Sequence, residues 1–371
     1  MSWHGIQTVA RLELRQRIRA SRWAIVLGIW FAVIALVTVL SYWAMHDPQV
    51  DSGASMYDIV IFFVLGLGML VVPSLTATSI NGDREHGVLA TLQTTLLTSA
   101  DIVLGKLVAA WAIAGAFLAT ALPFLVWAWL EGGISLGRIL LSLLVLLLVL
   151  AVVCAIGLMF STLTARPVSS AVLTYLAMGV LVFGTVIGFG LTAFLVTQEE
   201  TVSVYGIPDD WWEKNPSSIA PPPSGTEPME PVAPLEPTRA DCTTFDRRTT
   251  VAHTERIWWM LPLNPFVVVA DAAPSKPPTQ EEMYAGFTPM RWISAGAREA
   301  RRGATDEIRQ ECNIGTNFQE SPDPLADAAQ REPVWPYGLG FLLVSGVGAT
   351  LIANRRLHTP IRRLPNGTRI A

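Results

Sequence analysis

A charged stretch, Ser79-Ile-Asn-Gly-Asp-Arg-Glu-His-Gly-Val-Leu-Ala-Thr-Leu-Gln93, separates two long apolar runs, and Asp101-Ile-Val-Leu-Gly-Lys106 follows it. Gly105-Lys106 invites comparison with a phosphate-binding loop, in which backbone amides cradle phosphate, a lysine reaches its oxygens and a hydroxyl holds magnesium. That chemistry needs a glycine five positions before Gly105 and a Ser or Thr after the lysine; the chain has Ala100 and Leu107 there. Lys106 therefore reads as a lysine at the end of an apolar run whose ammonium snorkels to the surface. There is no serine nucleophile elbow and no carboxylate pair in a plausible cleft. The five histidines are scattered, and two cysteines without companions make no zinc site. The chain reads as a non-enzyme with no cofactor of its own; any ATP and magnesium are left to another chain.

The elements that position these residues belong in a membrane. Only 15% of the 371 residues are charged, against roughly 25% in soluble domains; 51% are hydrophobic and the mean hydropathy is +0.43. Six apolar runs, 23–45, 59–80, 107–130, 139–162, 168–196 and 334–353, suit the ~20 helical residues that cross a hydrocarbon core of about 30 Å. The first is too long for a cleaved signal and reads as a signal anchor. Arg11, Arg15, Arg17, Arg19 and Arg22 precede the first run, and Arg355, Arg356, Arg362, Arg363 and Arg369 follow the last. Arg84, Lys106 and Arg166 lie between runs, whereas 46–58 and 131–137 contain no Lys or Arg. Basic residues accumulate on the cytoplasmic side, so both termini are expected there. Trp23, Trp43, Trp127, Trp129, Trp335 and Tyr337 fall where an interfacial aromatic belt belongs. Asp58, Lys106, Glu131 and Arg138 sit at the edges of the runs, and no run has an ionisable residue in its interior. An ion-driven carrier generally needs one.

Residues 1–22 read as a cytoplasmic surface helix, with Arg11, Arg15, Arg19 and Arg22 on one face and Ile6, Val9, Leu12, Leu14 and Ile18 over the remainder. The same arginines also serve as a plain topology signal. Five spans fill 23–197, a sixth covers 334–353, and 354–371 is a basic cytoplasmic tail. Between them, 198–333 is an extracytoplasmic insert with 22 of the 30 acidic residues against 12 basic ones. Eight prolines in 216–237 predict an extended or disordered segment. The apolar, proline-broken 257–266 suits the outer interface, and 281–302 reads as a partly amphipathic helix. Cys154 reads as a packing residue. Cys242 and Cys312 either pair in a disulfide or remain two thiols, and an even count in an oxidising compartment favours the bridge. Gly66, Gly68, Gly184 and Gly188 permit close helix contacts, and Pro73 and Pro123 predict kinks, with Ser74 and Thr76 near the first.

In the charged stretch Asn81 reads as a helix N-cap, with Asp83 and Glu85 in the first turn, where the helix dipole favours acids. Val88, Leu89 and Leu92 give an apolar side, and Gly87, costly inside so short a helix, allows close approach to a partner. Thr98-Ser-Ala-Asp101 reads as a capping box restarting the third span. The segment 81–97 thus forms a short amphipathic docking helix. Asp83, Arg84, Glu85, Gly87 and Leu89, then Gly105 and Lys106, resemble the acidic-Arg-Glu-x-Gly-x-Leu stretch and Gly-Lys opening of ABC-2 type permeases, the membrane subunits of type V ABC exporters. The surface helix, the six spans and Asn264-Pro265 ahead of the last span extend the likeness. The resemblance implies an all-α polytopic membrane protein with six transmembrane helices, an N-terminal in-plane amphipathic helix and a cytoplasmic coupling helix; the large, partly disordered extracytoplasmic insert between helices 5 and 6 is read from composition and departs from the family pattern. It implies that Asp83, Arg84, Glu85, Gly87 and Leu89 seat in a separate ABC ATPase subunit, that a second permease copy or paralogue pairs with this one, and that the assembly is an exporter in a bacterial plasma membrane. The dry, uncharged spans favour an amphipathic, lipid-linked or drug-like cargo over a small ion. Membrane lipid is a partner and nucleic acid is not. The alternative is a non-transporting scaffold or sensor whose acidic outer domain binds a partner.

Overall fold

The computed structural model describes residues 2–19, 21–45, 53–85, 97–215, 238–273, 288–303, 309–312 and 332–357. Among them, six helical stretches are long and apolar enough to cross a membrane: Trp23–Ala44, Gly53–Glu85, Ser99–Leu130, Leu136–Leu163, Pro167–Leu195 and Trp335–Leu357. The chain is thus a mostly helical polytopic membrane protein. The elements are α1 (Trp3–Arg19), α2 (Ser21–Met45), α3 (Gly53–Thr76), α4 (Ser79–Glu85), α5 (Ser99–Leu130) and α6 (Leu136–Leu163), then α7 (Pro167–Gly179), joined through a π-helical turn (Val180–Gly184) to α8 (Thr185–Leu195). Beyond the fifth span come β1 (Thr197–Gly206), α9 (Asp209–Lys214), β2 (Thr243–Ala252), a 3-10 helix (Trp258–Leu263), α10 (Pro265–Ala272), α11 (Pro289–Arg302), β3 (Arg309–Gln310) and α12 (Trp335–Leu357).

The second and third spans begin earlier than the apolar runs indicate, so Asp58 and Lys106 lie inside α3 and α5 rather than at their edges. Both are fully buried. A helix can carry a buried polar group beyond its apolar stretch when that group is satisfied: Lys106 is paired with two carboxylates, and Asp58 accepts from two backbone amides. Local rules act where partners are near. The capping box forms as read: the Thr98 hydroxyl accepts from the Asp101 amide, and the Asp101 carboxylate accepts from the Thr98 amide. Pro167 opens α7 at its first turn, where its missing N–H is harmless. The chain reverses between α5 and α6 at Gly132 and Gly133, with φ of 92° and 76°, a region that favours glycine.

The central layer is α3, packed against α2, α5 and α6, while α12 lies along α6. Tyr57, Val60, Ile61, Val64, Phe117 and Leu146 belong to this core. Side chains this closely packed leave no room for added atoms. A Cβ on Gly157 of α6 would stand 2.0 Å from Thr76 Oγ1. Gly68 faces Leu150 and Gly188 faces Met260, whereas Gly184 faces only its own helix. Pro73 and Pro123 lie inside α3 and α5. Ser74 and Thr76 donate to the Val71 and Val72 carbonyls.

The insert is not wholly helical. β1 pairs antiparallel with β2 from Thr197↔Ala252 to Gly206↔Thr243, and parallel with β3 at Val204↔Arg309. A disulfide joins Cys242 to Cys312, with Cα atoms 6.0 Å apart, at the end of the hairpin remote from α8. Cys154 is a buried free thiol. Of the helix expected over 281–302, α11 covers Pro289–Arg302 and residues 281–287 lie outside the described residues, as does the proline-rich 216–237.

Candidate functional site

Where α1, α4 and α5 meet, three charged residues from three elements converge. Lys106 Nζ lies 3.0 Å from Glu13 Oε2 of α1 and 2.8 Å from Asp83 Oδ2 of α4. Its third donor faces the carbonyl and hydroxyl oxygens of Ser79, each at 3.3 Å. An ammonium has three protons and no acceptor, so this set satisfies it fully. With 1% of its side chain exposed, Lys106 does not snorkel to the surface. The cluster of carboxylates makes its burial tolerable, and those partners come from segments distant in the chain.

The neighbouring residues explain why the three elements can approach. A Cβ on Gly105 would stand 2.6 Å from Val9 Cβ, so α1 seats on α5 only because position 105 has no side chain. The buried side of α1 is Gly5, Ile6, Val9 and Ala10, while Arg11, Arg15 and Arg19 stay exposed. At its start the Ser2 amide donates to Asp101 Oδ1 at 2.8 Å. Further on, Arg17 pairs with Glu13 at 3.1 Å and donates to the Leu75 carbonyl of α3 at 2.8 Å. Burial raises the Glu13 carboxyl, but the charges of Lys106 and Arg17 and their hydrogen bonds more than offset this and hold it below the ordinary carboxylate value.

α4 departs from the sequence expectation. Asn81 is not its N-cap but lies buried within it, donating through its side-chain amide to Thr164 Oγ1 at 3.1 Å. The cap comes from another helix: Ser161 Oγ of α6 accepts from the amides of Ile80 and Asn81 at 3.0 and 3.2 Å. Asp83 therefore sits past the first turn and turns inward to Lys106. Arg84 is half-buried and Glu85 is exposed. Gly87 and Leu89, with the remainder of the docking helix read over 81–97 up to residue 96, lie outside the described residues. Glu13 was missed because its partner Lys106 is 93 residues away, although a lone acid in an arginine-rich helix is a visible signal.

A second set of tethers lies at the insert-bearing end. Asn264 caps α10 by accepting from the Phe266 amide, and its own amide donates to the Val182 carbonyl and Thr185 Oγ1 at the π-helical turn. Asp58 and Asp271, both buried, accept from backbone amides of elements other than their own. His253 has Nδ1 2.8 Å from Glu255 and Nε2 3.0 Å from Glu200 at the base of the hairpin.

Residues 7–221 match the profile of a family described as ABC-2 family transporter protein. The match runs from α1 through the first five spans and past β1 into the insert. No curated protein matches the chain.

Proposed function

The chain belongs to the ABC-2 family of transporter proteins, and from that premise we propose that it is the permease of an exporter in which the surface joining α4 to residue 97 receives the stroke of a separate ABC ATPase. Membership makes the chain a membrane transport component and brings an ABC ATPase as partner, in place of a non-transporting scaffold. The observation that carries the finer reading is the Glu13–Lys106–Asp83 cluster. It binds the segment bearing Arg84 and Glu85 to the surface helix and the third span, so a push on α4 is delivered to three elements together. Exposed Glu85 and half-buried Arg84 supply polar contacts to the ATPase, with Gly87 and Leu89 completing the seat.

The arginine-bearing termini face the cytoplasm of a bacterial plasma membrane, and the acidic insert faces outside. That side permits the Cys242–Cys312 bridge. Two permease copies, or this chain and a paralogue, pair around a central path through their lipid-exposed spans. The spans carry few charges, and the buried ones are tied up in pairs and caps. This suits an amphipathic, lipid-linked or drug-like cargo better than a small ion. Reversing Arg84 and Glu85 together (Arg84→Glu, Glu85→Arg) should abolish co-purification with the ATPase while membrane insertion is retained; unchanged co-purification defeats the assignment.

A further inference from the structure

Two helices at the insert-bearing end lack a side-chain cap of their own among the described residues. The residue before α11, Thr288, makes no cap hydrogen bond. Instead the Met290 and Arg291 amides donate to the two carboxylate oxygens of Asp58 on α3, at 2.9 and 3.1 Å. The start of α12 is held likewise: the Val334 and Trp335 amides donate to Asp271 Oδ2, at 2.6 and 2.9 Å, from the end of α10. The two borrowed caps are in series. Ser294 of α11 donates to Asp271 Oδ1 at 2.9 Å, and Arg298 pairs with the same oxygen. Asp58, Asp271, Ser294 and Arg298 are all buried, away from competing water.

α3 and α4 form one helical stretch, Gly53–Glu85, of 33 residues, or about 50 Å at 1.5 Å per residue. At the turn between them the Ala77 amide donates to the Pro73 carbonyl at 2.9 Å and the Gly82 amide to the Thr78 carbonyl at 2.8 Å, while Ser161 Oγ of α6 takes the Ile80 and Asn81 amides and bridges the break. Asp83, near one end, is bound to Lys106; Asp58, near the other, holds α11. A helix capped by its own residue keeps that cap wherever it moves. A helix capped by another element must follow that element or leave orphaned amides.

We propose that Asp58, α11 and Asp271 form a positioning relay, through which displacement of the second span at its Asp83 end re-sets the last span at its Trp335 end during transport. The relay rests on the coupling role proposed above for the α4 end. A packed chain of contacts is not by itself proof of coupling, so the test must separate transmission from support.

The chain has three cysteines, of which Cys154 is buried and the other two are bonded, so Trp292→Cys on the exposed side of α11 introduces a single accessible thiol. In the full permease–ATPase complex in nanodiscs, its labelling rate by a membrane-impermeant maleimide is compared without nucleotide and after vanadate trapping with ATP and magnesium. We expect the rates to differ by about fivefold, the lower end of typical allosteric coupling. Asp58→Asn should erase the difference while ATPase turnover continues. The deciding variant is Asp58→Asn with Thr288→Asp, which supplies α11 with a cap from its own N-cap position. If Asp58 only supports α11, the double variant restores the nucleotide response, and the relay is overturned. If Asp58 transmits, the response stays lost although α11 regains its basal labelling rate. A complex that turns over ATP with no response at Trp292→Cys defeats the relay alone; loss of the ATPase from the sample bears on the coupling reading instead.

Discussion

Removing the Lys106 ammonium tests whether the charged cluster holds α1 and α4 in place. Lys106→Met keeps the length and volume of the side chain and leaves Glu13 and Asp83 facing an apolar methyl group. At about 3 Å and an effective dielectric near 20, each ammonium–carboxylate contact has a Coulomb energy of about 5 kcal/mol, most of it offset by desolvation. Losing one member of a buried pair costs about 3–5 kcal/mol, because the partner is stranded. Here the Asp83 and Glu13 side chains retain 23% and 13% exposure. Water can partly relieve both, which puts the expected loss near the lower end, about 3 kcal/mol. With an unfolding entropy of roughly 2.1 cal/mol/K per residue over the 371-residue chain, that loss lowers the melting temperature by about 4 °C. The assay is tryptophan-fluorescence melting of the detergent-purified protein, paired with the rate at which trypsin cuts at Arg15 and Arg19. The triple variant Lys106→Met, Glu13→Gln, Asp83→Asn strands no carboxylate, and Arg17, which loses Glu13, is partly exposed and still donates to the Leu75 carbonyl, so the variant should recover most of the loss. A single variant that melts with the wild type, or a triple variant no better than the single, refutes the reasoning.

Gly157→Ala places a methyl 2.0 Å from Thr76 Oγ1 and should destabilise the α3–α6 contact by about 1–3 kcal/mol; adding Thr76→Ala should recover only part in a thermal melt, since the Thr76 Cβ stands at 2.9 Å. Replacing Cys242 and Cys312 by Ala should loosen the hairpin by about 2–4 kcal/mol, read as faster amide exchange in β1 and β2, with the spans unaffected. Glu13 has its folded value depressed, so its contribution to α1 docking is complete above the unfolded value of 4.5 and is lost as pH falls through the lower folded value. Amide exchange in α1 should therefore be unchanged from neutral pH down to 4.5 and rise only in stronger acid.

What could be read from the residues alone was local or strongly periodic. Six apolar runs, the Thr98–Asp101 capping box and a helix over Trp3–Arg19 needed only neighbours within a turn or a consistent face. The Asn81 cap and the exposed Lys106 went the other way for a common reason: each residue answers to a partner far along the chain, Thr164 for one and Glu13 for the other. Gly105 and Lys106 were legible as a pair but not in purpose, because nothing in their spacing reveals that α1 rests on one and bonds to the other. Asp271 lies in the apolar run 266–272, and only the three-dimensional path of α11 and α12 shows why a carboxylate belongs there.

The π-helical turn at Val180–Gly184 is a seam in the fifth span. Such a turn holds one residue more than an α-turn, so α7 and α8 are out of phase by one residue, about 100° of rotation. Deleting a residue there would heal the helix with little loss of its own hydrogen bonding, yet would turn the Val182 carbonyl and Thr185 hydroxyl away from Asn264. The extra residue behaves as an absorbed insertion: it sets the azimuth of the half packed on α3 and α6 independently of the half that meets the insert.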